Sequence, residues 1–337
     1  MGLSDLVDHM MRRPIRATGQ VSEQTEKKEE KEVQVKEGAA FYFDYMRKDK
    51  GALGSMVVIV AFLAFGLVEG ILQYAGSLFK DTALGWAILP SDPLSSTATT
   101  FKSSLQPPSL VNFPANVLGT NFQGQSILSR LMYATPHDAA ASLVVVGSAI
   151  LVGMFLGTAS GYFGGWVDEV MMRLTDAFLA LPGLVLAITV AVLIGGGFTA
   201  LLYALTLIWW PTYARFFRAQ ALTLRNKGYV EAAKLNGTSS LKILVKHIIP
   251  NSVDPVIAYA TLDMGTVILT IAALAFLGIG VSSGYPEWGA ESSAGLQFFP
   301  QQWWYAIMPG LLIGIIVVSF TLVGDRLQDL IGGRITY

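Results

Sequence analysis

An apolar run from about 52 to 75, opening directly after Arg47-Lys48-Asp49-Lys50, constrains this chain more than any other feature. About 20 helical residues cross the ~30 Å hydrocarbon core of a bilayer, and this run is long enough. Similar runs follow at about 139–163, 177–195, 199–217, 253–281 and 304–323. Each is expected to be helical, because in lipid a helix satisfies its own backbone N–H and C=O groups. The reading is an all-α integral membrane protein with six transmembrane helices. Composition agrees. Of the 337 residues, 53% are hydrophobic and 14% charged, against about 25% charged in an ordinary soluble domain. So little charge excludes a soluble globular enzyme, and so much hydrophobicity excludes a disordered chain.

The few charges orient the spans. Taking the N-terminus as cytoplasmic, inner segments hold 20 of the 23 Lys and Arg residues, and outer segments hold Lys80, Lys102 and Arg130. That asymmetry follows the positive-inside rule, so both termini are expected in the cytoplasm of a cell with this chain in its plasma membrane. The expected organisation is a charged cytoplasmic tail over 1–50, a first transmembrane helix over 51–76 and an extracytoplasmic segment over 77–138. A core of helices two to six then covers 139–325, with an inner loop at 218–250, and a cytoplasmic tail covers 326–337. Residues 1–50 contain no apolar stretch of signal-peptide type. Leu6 stands where a myristoylation signal needs Ser or Thr. Leu3, Leu6, Val7, Met10 and Met11 are spaced for a short interfacial helix or a loosely ordered tail. Glu23 to Glu37 reads as a solvated helix or linker. A net charge of −1 gives no bias toward nucleic acid. With no Cys and three scattered His, disulfides, thiolate sites and a multi-histidine metal site are excluded, and no catalytic, cofactor-binding or metal residue is expected.

Residues 228–237 read Gly-Tyr-Val-Glu-Ala-Ala-Lys-Leu-Asn-Gly. They predict a helix broken at Asn236-Gly237, then a short helix over 238–248 and a stop at Pro250. Gly237 suits the left-handed dihedrals of a sharp reversal. The product is a helical hairpin shaped to dock on a partner, or an ordinary basic inner loop. Glu231 has Lys227 and Lys234 at helical pairing distance. Glu169, Arg173 and Asp176 are spaced as a charged ladder at the inner membrane edge, beside Asp168. Gly195-Gly196-Gly197 reads as a tight turn. Asp263 lies ten residues into the fifth span, or ~15 Å deep. A carboxylate there is costly, so it should line the solute path or bond a neighbouring helix. Trp303-Trp304 reads as an interfacial anchor, and Trp209-Trp210 as bundle packing.

Here the sequence resembles a family. Glu231-Ala232-Ala233, then Gly237, then Ile248-Ile249-Pro250 resembles the cytoplasmic loop of ABC importer permeases. More narrowly, the chain resembles the smaller, C-type permease of the dipeptide/oligopeptide/nickel (Dpp/Opp) transport family. The resemblance runs through Leu118-Gly119-Thr120-Asn121, Leu128-Ser129-Arg130-Leu131, Gly161 to Asp168 with Arg173 and Asp176, Tyr213-Ala214-Arg215, Phe276 to Gly280, Trp288-Gly289 and Gly324-Asp325. It covers about 110–334. It departs at Asn121 and Gln125-Ser126, where the family carries acidic and Arg-Asp residues. It departs again at Ile271-Ala272-Ala273, where a glutamate is common, and at Gly332-Gly333-Arg334, where Asp-Pro-Arg is common.

The resemblance implies a type I ABC importer permease fold and a transport subunit that is not itself an enzyme. The implied partners are a second homologous permease, two ABC ATPase subunits, an extracytoplasmic solute-binding protein and the lipid bilayer. ATP and Mg would sit in the ATPases and no cofactor in this chain. The sequence agrees in lacking any Gly-Lys dipeptide, and so any Walker A loop. The ATPase-coupling residues carried over are Tyr229, Glu231, Ala232, Ala233, Gly237, Ile249 and Pro250. Asp263 is a candidate pathway residue, and Asp168, Arg173 and Asp176 form the inner-edge turn. Peptides are the expected solute, then oligosaccharides, then nickel. The rival classes are an ATP-independent channel or ion-driven carrier, for which Glu69 near the outer end of the first span and Asp263 are the residues that speak, and an intramembrane enzyme, for which no motif is present.

Overall fold

A computed structural model describes residues 49–94, 104–111, 113–280 and 284–331 of the chain. The readings of the charged tail and of Gly332-Gly333-Arg334 fall outside these residues. Eleven helices are numbered here in chain order. They are α1 Lys50–Phe79, α2 Ile127–Phe163, α3 Gly165–Leu179, α4 Gly183–Ile194, α5 Gly197–Leu224 and α6 Gly228–Leu235. The short α7 Ser240–Ile243 and α8 Ile249–Asn251 follow, and then α9 Val253–Phe276, α10 Trp288–Leu296 and α11 Trp303–Ile331. The β pairing found among the described residues is the single bridge between Thr120 and Ser126.

The apolar runs become helices, with different bounds. By length and composition α1, α2, α9 from Pro255 onward, and α11 can each cross a bilayer. The run at 177–195 does not form one straight span. It divides between α3 and α4, which meet at 86°. The cause is Leu181-Pro182: proline supplies no backbone donor and drives the preceding residue out of helical dihedrals. As a bent pair, α3 and α4 make up to a fifth span. The run at 199–217 lies within α5, which has 28 residues but is diluted by Trp209, Pro211, Thr212, Tyr213 and Arg215. Two further bounds move. The last twelve residues of the segment read as 77–138 are already the first turns of α2, capped by Ser126, whose hydroxyl accepts from Ser129 N–H. Residues 218–224, read as loop, continue α5. The three glycines 195–197 make the expected turn, at φ 113°, 74° and 85°.

Small residues let the helices close. Along α2, Gly153, Gly157 and Gly161 lie one helical turn apart and face α5. A Cβ on Gly153 would meet the Tyr213 Cβ at 2.5 Å, one on Gly157 would strike the Ala214 carbonyl, and one on Gly161 would meet the Arg218 carbonyl at 2.6 Å. Without a hydrophobic force between helices in lipid, such close backbone packing is what holds a pair together. The core behind this seam includes Val145, Ala149, Leu201, Leu205, Phe217, Val267, Ile271 and Leu274. Gly265 and Gly324 do the same work between α9 and α11. α1 joins through Gly66 against Ala139 and through Phe62, whose ring lies 5.8 Å from Trp288 and 6.2 Å from Phe320. Its other face exposes Val57, Val60, Leu67 and Ile71. A helix apolar all round suits a surface covered by lipid or protein.

Candidate functional site

The hairpin read from residues 228–250 is present, and its parts can be built in order. α6 ends in a Schellman arrangement: Thr238 N–H donates to the Ala233 carbonyl and Gly237 N–H to the Lys234 carbonyl, each at 3.0 Å. The motif requires a left-handed residue at Gly237, which sits at φ 74°. The chain then reverses into α7. Its continuation corrects one reading: the helix does not stop at Pro250. Residues Leu244–Ile248 widen into a π-helical segment, and Pro250 falls in the first turn of α8, which runs on to Asn251. A proline ring clashes with the carbonyl four residues earlier in a regular helix, and one wide turn relieves that clash.

Val230, Ile243, Leu244 and Ile248 are buried with Ala221, and Tyr162, Ala233 and Ile249 pack against them. The hairpin therefore sits on the last turns of α2 and α5. Arg225 donates to the Gly161 carbonyl at 2.9 Å, Lys234 Nζ lies 5.7 Å from the Tyr162 ring centroid, and the Tyr229 and His247 rings are 6.2 Å apart. Lys234 thus faces an aromatic ring. Glu231, Ala232 and Pro250 lie on the outer surface. Around them Tyr229, Leu235, Leu241 and Val245 are exposed, Leu235 at 88%. An exposed apolar group of this kind, rimmed by polar residues, marks an interaction surface.

The inner-edge residues are placed beside this hairpin by contacts that sequence spacing did not reveal. Asp168 takes a fork from Arg218 of α5, with Nε at 2.6 Å and the second nitrogen at 2.7 Å, and also accepts from the Ser160 hydroxyl. Asp176 pairs with Arg215 of α5 at 2.6 Å. The expected ladder is thereby corrected. Glu169 and Arg173 lie 3.6 Å apart on the exposed face of α3, but Asp176 is taken by another helix. No local pattern identified Arg215 and Arg218 as the partners. Their spacing on α5 could have been matched to Asp168 and Asp176 only once α3 and α5 were known to be neighbours.

Asp263 is 7% exposed and lies on α9. Its carboxylate accepts from the Trp209 indole N–H at 2.6 Å and the Tyr213 hydroxyl at 2.9 Å. Of the two roles read for it, the bond to a neighbouring helix is the one these contacts make. Trp210 is buried as expected. The pair Trp303-Trp304 divides: Trp303 is 43% exposed, whereas Trp304 is buried against Gly119 and does not serve as an interfacial anchor. Among the described residues no group of three or more potential ligands could hold a metal ion.

The arrangement is mechanical. A small protruding hairpin is wedged between the ends of two tightly packed helices and carries an apolar face outward. The chain as a whole is similar to known proteins. Residues 149–337 match the family described as binding-protein-dependent transport system inner membrane component. The dipeptide transport system permease protein DppC of Alkalihalophilus pseudofirmus is 31% identical over 85% of this chain and 87% of its own length. The probable D,D-dipeptide transport system permease protein DdpC of Escherichia coli is 37% identical over 67% of this chain and 75% of its own. A solved structure of the MetNI methionine ABC transporter, inward facing, aligns with a TM-score of 0.46 at 17% identity, over 60% of this chain and 96% of that one. The chain belongs to the binding-protein-dependent transport system inner membrane components.

Proposed function

We propose that this chain is a permease subunit of an ATP-driven importer and forms half of a path for short peptides delivered by an extracytoplasmic binding protein. The observation that carries the coupling part is the hairpin, with Tyr229, Leu235, Leu241 and Val245 facing outward from a base locked to α2 and α5. An ATPase docked there could push on both helices at once. The peptide assignment rests on the relatives named above, which are dipeptide permeases. In this reading α5 completes six spans, both termini and the hairpin are cytoplasmic, and the chain has no ATPase site of its own. Its partners are a second permease, two ATPases holding ATP and Mg, and the binding protein. The coupling residues are Tyr229, Glu231, Ala232, Ala233, Gly237, Ile249 and Pro250. Asp168, Arg173 and Asp176 brace the inner edge. Asp263 acts on the path through Trp209 and Tyr213 of α5.

Oligosaccharides and nickel rank lower because the relatives are peptide permeases and the described residues hold no metal cluster. A carrier working alone would need buried relays, yet Asp263 is occupied by two donors from α5 and Glu69 accepts from Gln73 of its own helix. The test is uptake of a labelled dipeptide into proteoliposomes holding the full complex. Uptake should require both ATP and binding protein. Uptake by this chain alone, driven by an ion gradient, would overturn the reading.

A further inference from the structure

The end of α2 opposite the hairpin carries a second polar assembly. Arg130, in the first turn of α2, is 2% exposed, and lies about 45 Å along the helix from Gly161 at 1.5 Å per residue. Its guanidinium reaches three partners distant in sequence, Pro93, Gly284 and Glu291, and the nearby Gln125. Nε donates to Glu291 Oε1 of α10 at 2.6 Å, and a terminal nitrogen lies 2.5 Å from the same oxygen. The other terminal nitrogen donates to the Pro93 carbonyl at 2.8 Å and to Gln125 Oε1 at 2.7 Å. A further bond of 2.9 Å runs to the Gly284 carbonyl.

These partners are themselves tied down. Gln125 donates to the Leu94 carbonyl at 3.1 Å and accepts from the Asn121 amide at 2.8 Å. Ser91 N–H donates to the Ser129 hydroxyl at 3.1 Å. Gly119, at φ 83°, lies so close to the Trp304 indole that a Cβ would sit 2.7 Å from it. Phe122 stacks on Phe298, just beyond α10, with centroids 6.2 Å apart. α10 is wedged on its other side. A Cβ on Gly289 would strike the Ala272 carbonyl of α9, and one on Gly295 the Ala306 backbone of α11. A buried guanidinium whose donors are spent on Pro93, Gln125, Gly284 and Glu291 fixes their relative geometry far more tightly than one ion pair could.

We infer that Arg130 is a positioning residue that makes residues 91–94 and 113–126, the first turns of α2 and α10 one moving body. A partner engaging those residues then shifts α10 between α9 and α11. This rests on the importer reading, with the binding protein as the partner that engages this end.

Two measurements test it in the complete reconstituted complex. The first compares ATP hydrolysis with and without liganded binding protein. Removing a buried ion pair as a whole spares stability better than breaking it, so Arg130→Met combined with Glu291→Met should keep assembly and basal hydrolysis, with a lower melting temperature because the Pro93 and Gly284 carbonyls lose their donor. Its stimulation by binding protein should fall about fivefold or more, the lower bound of ordinary coupling. Stimulation equal to the unaltered complex overturns the inference. The second measurement holds even if that variant fails to assemble. The chain has no Cys, so Phe122→Cys with Phe298→Cys can be bridged by a short bis-methanethiosulfonate, which links the two thiols through reducible disulfides. If residues 113–126 and α10 move together, bridged complex imports as well as unbridged complex. Import that stops on bridging and returns on reduction overturns the inference. If the unaltered complex neither hydrolyses ATP nor responds to binding protein, the importer reading fails instead.

Discussion

Gly237 sits at φ 74° with open space around its α-carbon. A side chain there meets no neighbour, so the whole penalty is in the backbone, about 1–2 kcal/mol for a left-handed residue. Asparagine tolerates that region and valine does not. Gly237→Asn should therefore keep ATP-driven uptake near the unaltered rate. Gly237→Val should assemble but hydrolyse ATP with uptake cut severalfold, as measured on one preparation. Equal uptake by the two variants would show that the turn is not what matters. Asp263 gives a second contrast. Asp263→Asn keeps an oxygen for Trp209 and Tyr213, whereas Asp263→Leu strands both donors, at about 1–3 kcal/mol for a buried unsatisfied group. Thermal unfolding of the solubilised complex should rank them unaltered, Asn, then Leu. The depth of Asp263 was legible in the sequence, because a carboxylate ten residues into an apolar run needs a partner. Which partner was not, since Trp209 and Tyr213 lie 54 and 50 residues away.

Elements in this chain are held by close backbone contact as much as by side chains. Gly157 is the tightest point of the α2–α5 seam, where a Cβ would strike the Ala214 carbonyl. Gly157→Leu should abolish assembly, seen as loss of the chain from the membrane fraction, whereas Gly147→Leu, with open space at Cβ, should not. α10 offers a pH signature. Glu287 caps this helix, accepting from Ala290 N–H at 2.7 Å. Burial pushes its carboxyl up to about 7, with the Glu291 carboxylate adding to the rise, while the N–H groups of Ala290, Gly289 and Trp288 pull the other way. A carboxyl raised on folding contributes most below its unfolded pKa, about 4.3, and loses that contribution as pH rises through the folded value. The complex should melt lower at about pH 8 than at about pH 5, and Glu287→Gln, which keeps the cap, should reduce that difference. An unchanged difference in the variant would remove Glu287 as its source. The apolar runs announced most helices, but not the bend at Leu181-Pro182 or the early start of α2. Both are decided by local backbone chemistry inside or beside an otherwise apolar pattern. The early turns of α2 contain Arg130 and Asp138, which read as soluble until the neighbours that bury them are in place.

At the scale of the molecule, two assemblies stand at opposite ends of α2. One is the hairpin seated on Tyr162, Gly161 and α5, and the other is the group of segments gathered on Arg130. The motif Glu-Ala-Ala with Gly237 pointed to the first, because it combines a helix, a required left-handed turn and small residues in ten positions. Nothing local pointed to the second. Asn121, Gln125 and Ser126 looked like departures from a family pattern, and only the fold shows the two amides and the hydroxyl bonded into the assembly around Arg130. The central claim is that force enters at the hairpin and opens a path for peptides. The most direct measurement is binding-protein-dependent uptake of a labelled dipeptide by proteoliposomes, with ATP hydrolysis recorded in parallel, for the unaltered complex and for Leu235→Asp with Leu241→Asp on the hairpin face. The account predicts that the unaltered complex imports only with ATP and binding protein, and that the double variant retains this chain in the membrane but loses both its ATPase partners and uptake. Undiminished ATP-driven uptake by the double variant would contradict it.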